Sequence, residues 1–85
     1  MKAFDYLITD ELGIHARPAG LLCKLAKSLD SRITVEKGEK SADATSIISL
    51  MMLGVKKGDL VHVTAVGGDE ETSAKTVEAF FKENL

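Results

Sequence analysis

Cysteine is nearly absent from this 85-residue sequence, in which Cys23 stands alone. An intrachain disulfide is therefore impossible, and the single thiol argues against a thiolate metal site or a metal chaperone that needs paired cysteines. Cys23 falls on a predicted helix, four positions after Ala19 and three before Ala26, which makes it a small buried hydrophobe rather than a reactive group. No apolar run approaches the roughly 18 residues needed to span a bilayer. The segment Met1-Lys2-Ala3-Phe4-Asp5 lacks the long apolar core of a signal peptide, so the expectation is a cytoplasmic chain without membrane insertion. Positive charge is not in excess either. Eleven Lys and Arg against 13 Asp and Glu give a net charge of -2, which leaves no overall basic field for nucleic acid. Repeats, low-complexity tracts and linkers are missing. One domain covering residues 1–85 follows, with a single small core and no room for a cleft between domains.

What is present concentrates in Leu12-Gly13-Ile14-His15-Ala16-Arg17-Pro18-Ala19-Gly20. Pro18, the only proline, suits the first turn of a helix, where its fixed φ fits and its missing N–H has no intrahelical partner to lose. The helix is expected to begin near Ala16 or Arg17. Free backbone N–H groups and the positive end of the helix dipole make such a start a site for an anion such as phosphate. His15 stands at its mouth, and the Arg17 guanidinium offers planar donors that match phosphate oxygens. A neutral imidazole nitrogen can attack phosphorus, and the Ala16 and Arg17 amides with the Arg17 side chain would hold the product. A helix terminus contributes only about 0.3 to 1 kcal/mol when exposed, up to about 2 when partly buried. That weakness suits a carrier, which must let go of what it holds. No second histidine or acid is identifiable beside His15, which argues against a histidine-dependent phosphatase.

The rest of the chain reads as a scaffold. Phe4 to Thr9 alternates as a strand. From Ala16 to about Leu29, the residues Ala19, Leu22, Cys23, Ala26 and Leu29 form one apolar stripe at helical spacing, while Leu21 falls off it toward Arg17. Ile33 and Val35 alternate with Arg32, Thr34 and Glu36 as a second strand, and a turn at Lys37-Gly38-Glu39-Lys40 leads to a third over Ser41 to Ala44. Thr45 or Ser46 can cap a short helix that Gly54 ends. Its run Ile47-Ile48-Ser49-Leu50-Met51-Met52 holds more apolar residues than one face of two turns can bury. Either the helix is wedged wholly into the core, or some of Ile47, Ile48 and Met51 form a partner-binding patch. Lys56-Lys57-Gly58-Asp59 is a turn, and Leu60 to Val66 is the clearest strand, with His62 on its exposed face. Asp69 caps the last helix, Glu70 and Glu71 complement its dipole, and Ala74, Val77 and Phe81, with Phe80 adjoining, face the core. The order βαββαβα packs most simply as an α+β open-faced sandwich, a four-stranded antiparallel sheet with its three helices on one face. Such a fold names no function.

Gly13-Ile14-His15-Ala16-Arg17-Pro18-Ala19 resembles the active-site signature of the HPr family, the histidine phosphocarriers of the bacterial phosphoenolpyruvate-dependent sugar phosphotransferase system. Length, element order and the region Leu53-Gly54-Val55-Lys56-Lys57-Gly58 extend the likeness over nearly the whole chain. The resemblance implies the HPr-like fold and a phosphoryl group taken by His15, on Nδ1, from Enzyme I and passed to IIA domains of sugar permeases. It implies docking through Gly20, Leu21, Ile47, Ile48 and Met51, and a regulatory phosphorylation of Ser46 by HPr kinase/phosphorylase, which would place negative charge in that patch. The expected molecule is a monomeric carrier, not a turnover enzyme, with neither cofactor nor metal. Two departures stand out. Thr45 replaces a common lysine beside Ser46, and Leu12 replaces a small polar residue. Leu12-Gly13 also occurs in the related nitrogen-branch carriers, called NPr, which gives one alternative reading. The other is a regulatory module that binds an anion noncovalently.

Overall fold

A computed structural model describes residues 1–85. Its elements follow the expected order: β1 Lys2–Leu7, α1 Ala16–Ser28, β2 Arg32–Lys37, β3 Lys40–Asp43, α2 Ile47–Met52, β4 Leu60–Val66 and α3 Glu70–Asn84. The four strands form one antiparallel sheet in the order β1-β4-β2-β3. Register follows parity. Phe4, Val63, Val35 and Ala42 pair in one row across all four strands and point into the core, whereas Asp5, His62, Glu36 and Ser41 make the next row on the open face. A slip of one residue would exchange the two faces, so the hydrophobic alternation fixes the pairing.

The helices cover the inner face. Leu22 and Ala26 of α1, Leu50 of α2, and Val77 and Phe81 of α3 join the strand residues in one buried cluster. Phe81 is its hub, packed edge-to-face against Phe4 at 5.8 Å and Tyr6 at 5.6 Å between ring centroids, the arrangement aromatic quadrupoles favour. Cys23 is buried, and its thiol donates to the Thr45 carbonyl at 3.2 Å, joining α1 to the approach of α2.

Two boundaries differ from the sequence expectation. The first strand runs Lys2–Leu7 rather than Phe4 to Thr9, because Ile8 leaves the ladder: its N–H donates to the Asp59 carbonyl and its carbonyl accepts from Gly58, while its side chain stays in the core. The third strand runs Lys40–Asp43 rather than Ser41 to Ala44, since the turn is tighter than expected. Lys37 already pairs with Lys40, and Gly38 adopts the positive φ of 58° that a two-residue hairpin turn requires.

Candidate functional site

The segment from Ile8 to Ile14 carries His15 to the mouth of α1, and the chain holds this loop from both sides. Thr9 and Asp10 donate their N–H groups to the Leu85 main-chain oxygen at 2.6 and 2.9 Å. Asp10 then closes a local turn, its carbonyl accepting from Gly13 at 3.0 Å and its carboxylate Oδ1 from Leu12 at 2.8 Å. Ile14 is buried and donates to the Val55 carbonyl at 3.2 Å. Gly13 has a φ of +63°, and a Cβ there would overlap the Val55 carbonyl and come within 2.7 Å of Lys56 Cα. Only glycine fits both the conformation and the space.

His15 is the N-cap residue of α1, in extended backbone, and its carbonyl accepts the first helical bond from Ala19 at 3.0 Å. Its side chain caps nothing, and 37% of it is exposed. The N–H groups of Ala16 and Arg17 donate to no backbone or side-chain acceptor, Pro18 has none, and the first turn holds no acid. Arg17 is exposed, pairs with no carboxylate, and shares an open depression with His15, Asp10, Leu21 and Glu83. An imidazole, two free amides and a guanidinium thus meet where the helix dipole is positive. This arrangement can receive a nucleophile-bound dianion.

The expectation that no acid stands beside His15 is corrected here. Asp10 Oδ1 lies 3.9 Å from His15 Nε2. Four residues separate the two in sequence, and the turn through Gly13 folds them together, a closure that no residue pattern announces.

The short helix α2 divides as the excess of apolar residues suggested. Of its residues only Leu50 is buried, with Leu53 following it into the core. Ile47, Ile48 and Met51 are exposed at 41%, 72% and 46%, so the wholly buried alternative fails. Met52 was missed and is 74% exposed, one helical turn beyond Ile48. That spacing of four was the available signal. On α1, Leu21 is exposed and Gly20 half-exposed. Ser46 is the N-cap of α2, its hydroxyl oxygen accepting from the Ser49 N–H at 3.2 Å. Thr45 turns its hydroxyl away, donating to Asp43 at 2.7 Å. The Thr45 hydroxyl and N–H, with Arg32 nearby, hold the Asp43 carboxyl below its ordinary value.

His62 stands apart from all of this. It is exposed on the open sheet face, with Nδ1 2.6 Å from Asp5 Oδ1 on the neighbouring strand. No helix is long and apolar enough to cross a membrane.

Comparisons with known proteins bear on the family and the fold. Residues 2–83 match the family model described as PTS HPr component phosphorylation site. The phosphocarrier protein HPr of Mycoplasma capricolum is 35% identical over 78 residues, covering 92% of this chain and 88% of that protein. The structure of a mycoplasmal histidine-containing phosphocarrier protein superposes with a TM-score of 0.92 at 32% identity, over 96% of this chain and 93% of the other. HPr-C-His of Thermoanaerobacter tengcongensis matches along the full length of both chains at 40% identity, with a TM-score of 0.85. A match over nearly every residue, with the four-stranded sheet and three helices in common, makes the chain a member of the HPr family of phosphocarriers of the phosphotransferase system.

Proposed function

We propose that residues 1–85 act as one carrier domain in which His15 Nδ1 is the phosphoryl acceptor. The nitrogen lone pair attacks the phosphorus carried by Enzyme I, the bond from phosphorus to the donor breaks, and the phosphoryl group comes to rest at the mouth of α1. The Ala16 and Arg17 N–H groups and the Arg17 guanidinium receive its oxygens there, as charge-assisted bonds. A IIA domain of a sugar permease then removes it by the same displacement in reverse. The protein is consumed and regenerated as a substrate of its partners and needs neither cofactor nor metal. The observation that carries this reading is the pair of unpartnered amides at an uncapped helix start beside a half-exposed imidazole.

Docking falls to Gly20 and Leu21 on α1 and Ile47, Ile48 and Met51 on α2, with Met52 added to the patch. Two neighbouring helices with adaptable aliphatic and methionine side chains suit several partners in turn. Ser46 serves first as a cap, and phosphate on it would put negative charge at the edge of that patch, where HPr kinase/phosphorylase would act. The carrier acts as a monomer, and the setting is the cytoplasm, where phosphoenolpyruvate is available.

Incubation with phosphoenolpyruvate and Enzyme I is expected to introduce one acid-labile phosphate, mapped to His15 and abolished in His15→Ala. Equal labelling of His15→Ala would end this assignment. Exchange with sugar-branch or nitrogen-branch Enzyme I and IIA partners separates the two carrier types, and calorimetry without Enzyme I would expose a noncovalent anion sensor.

A further inference from the structure

The depression at His15 contains an acid that the transfer chemistry above leaves unused. Asp10 is fixed at three points: its N–H donates to Leu85, its carbonyl accepts from Gly13, and its carboxylate Oδ1 accepts from Leu12. The carboxylate is therefore held in place. Of the two ring nitrogens of His15 it is Nε2 that lies near it, at 3.9 Å, which leaves Nδ1 as the nitrogen free to react. That separation exceeds a hydrogen bond, yet contacts among reacting groups often tighten only when the transferred group is present.

The geometry points to Asp10 as a positioning residue for the phosphorylated state: its carboxylate keeps a proton on His15 Nε2 while Nδ1 carries the phosphoryl group, and so keeps the P–N bond ready to break. This inference rests on the carrier reading above. When an acceptor attacks phosphorus, the P–Nδ1 bond breaks and its electron pair stays on Nδ1. A ring protonated at Nε2 leaves as neutral imidazole, whereas a ring without that proton must leave as imidazolate, a far poorer leaving group. In hydrolysis, the simplest transfer, the water oxygen bonds to phosphorus, both water protons depart with the phosphate, and the ring retains its Nε2 proton.

Other charges face the same place. Arg17 projects from α1 and opposes a second positive charge on the ring. Glu83 of α3 lines the depression, and Glu11 is occupied by Lys57 at 2.8 Å. Asp10 is the one acid within 4 Å of a His15 ring nitrogen. A single charge at this distance, in water-like surroundings, changes an equilibrium constant about fivefold.

The experiment compares the wild-type protein with Asp10→Asn, each phosphorylated by phosphoenolpyruvate and Enzyme I, freed of both, and followed for phosphate loss from pH 5 to 9. Asparagine keeps an oxygen for the Leu12 N–H, removes the charge and exchanges the second oxygen for an NH2 group. Both proteins are expected to carry one phosphate on His15 and to lose it equally fast at pH 5, while Asp10→Asn loses it about fivefold more slowly at pH 8. Superimposable pH profiles would overturn the role of Asp10 and leave the carrier reading standing. The same slowing at every pH would mark a purely structural residue and also overturn it. Failure of the wild-type protein to accept phosphate would remove the carrier reading and this inference together.

Discussion

Helices α1 and α3 begin in opposite ways. At α3 the chain neutralises its own helix end: the Asp69 carboxylate accepts from the Thr72 N–H, and Glu70 and Glu71 fill the first turn. At α1 the cap residue is His15, which caps nothing, and the first turn has Arg17 and no acid. An absent cap forgoes about 1 kcal/mol. Support comes instead from behind, where Ile14 bonds to Val55 and Pro18 is buried. On the proposed reading, the anion site at α1 is made as much by what is withheld from a helix start as by what is placed there.

The strongest way to break this contrast is to give α1 the charge that α3 already has. Ala16→Asp puts a carboxylate where the proposed site receives the phosphoryl oxygens, and repulsion between like charges about 4 Å apart is expected to slow labelling by roughly thirtyfold or more. Thermal unfolding should show the same variant no less stable than the wild type, because an acid in the first turn favours the helix. Labelling at the wild-type rate would show that the free helix end plays no part. Arg17→Ala acts on the same site from the other side. Loss of one charge-assisted contact, about 1.5 to 3 kcal/mol, is expected to slow both acceptance and donation at least tenfold without changing the melting temperature. Stopped-flow transfer rates with each partner check this.

Glycine gives a third comparison between the two helix starts. Gly13 before α1 and Gly68 before α3 both have positive φ, 63° and 59°. An added Cβ meets backbone at Gly13, the Val55 carbonyl and Lys56 Cα, but a side-chain carboxylate, Asp30, at Gly68. The conformation alone costs an alanine roughly 1 to 2 kcal/mol at either position, and backbone cannot step aside as a side chain can. Gly13→Ala is therefore expected to lose more stability in urea denaturation than Gly68→Ala. It should also slow labelling of His15, while Gly68→Ala leaves labelling unchanged.

How much of this was legible in the sequence depends on whether the signal was local. The start of α1, the role of Asp69 and the alternation of β4 could be read because proline, capping residues and periodicity act on their own neighbourhood. The surplus of apolar residues in α2 correctly foretold exposure, although Met52 was overlooked. The approach of Asp10 to His15 was not readable. It depends on a turn through Gly13 that Val55 supports from about 40 residues away, and on a main-chain oxygen of Leu85 at the far end of the chain. Ile8 belongs with these. Its alternation says strand, while its hydrogen bonds go to the Gly58-Asp59 turn.

The smallest expected effect sharpens the comparison from the side of α3. Thr72, through its hydroxyl and its N–H, holds the Asp69 carboxyl below its ordinary value. A carboxyl depressed in the folded state stabilises the fold above the unfolded value, near pH 4, and that contribution is lost as the pH falls through the folded value. Asp69→Asn retains a side-chain acceptor for the cap, so its stability at pH 7 should be close to that of the wild type. What should change is the slope: urea midpoints measured from pH 6 to pH 2 are expected to fall less steeply in Asp69→Asn. No corresponding carboxylate lies in the first turn of α1, so His15 labelling at pH 7 should not register the substitution. Parallel pH dependences for the two proteins would mean that Asp69 does not stabilise α3 through its charge. The opposition between a neutralised helix start and an open one would then rest on Glu70 and Glu71 alone.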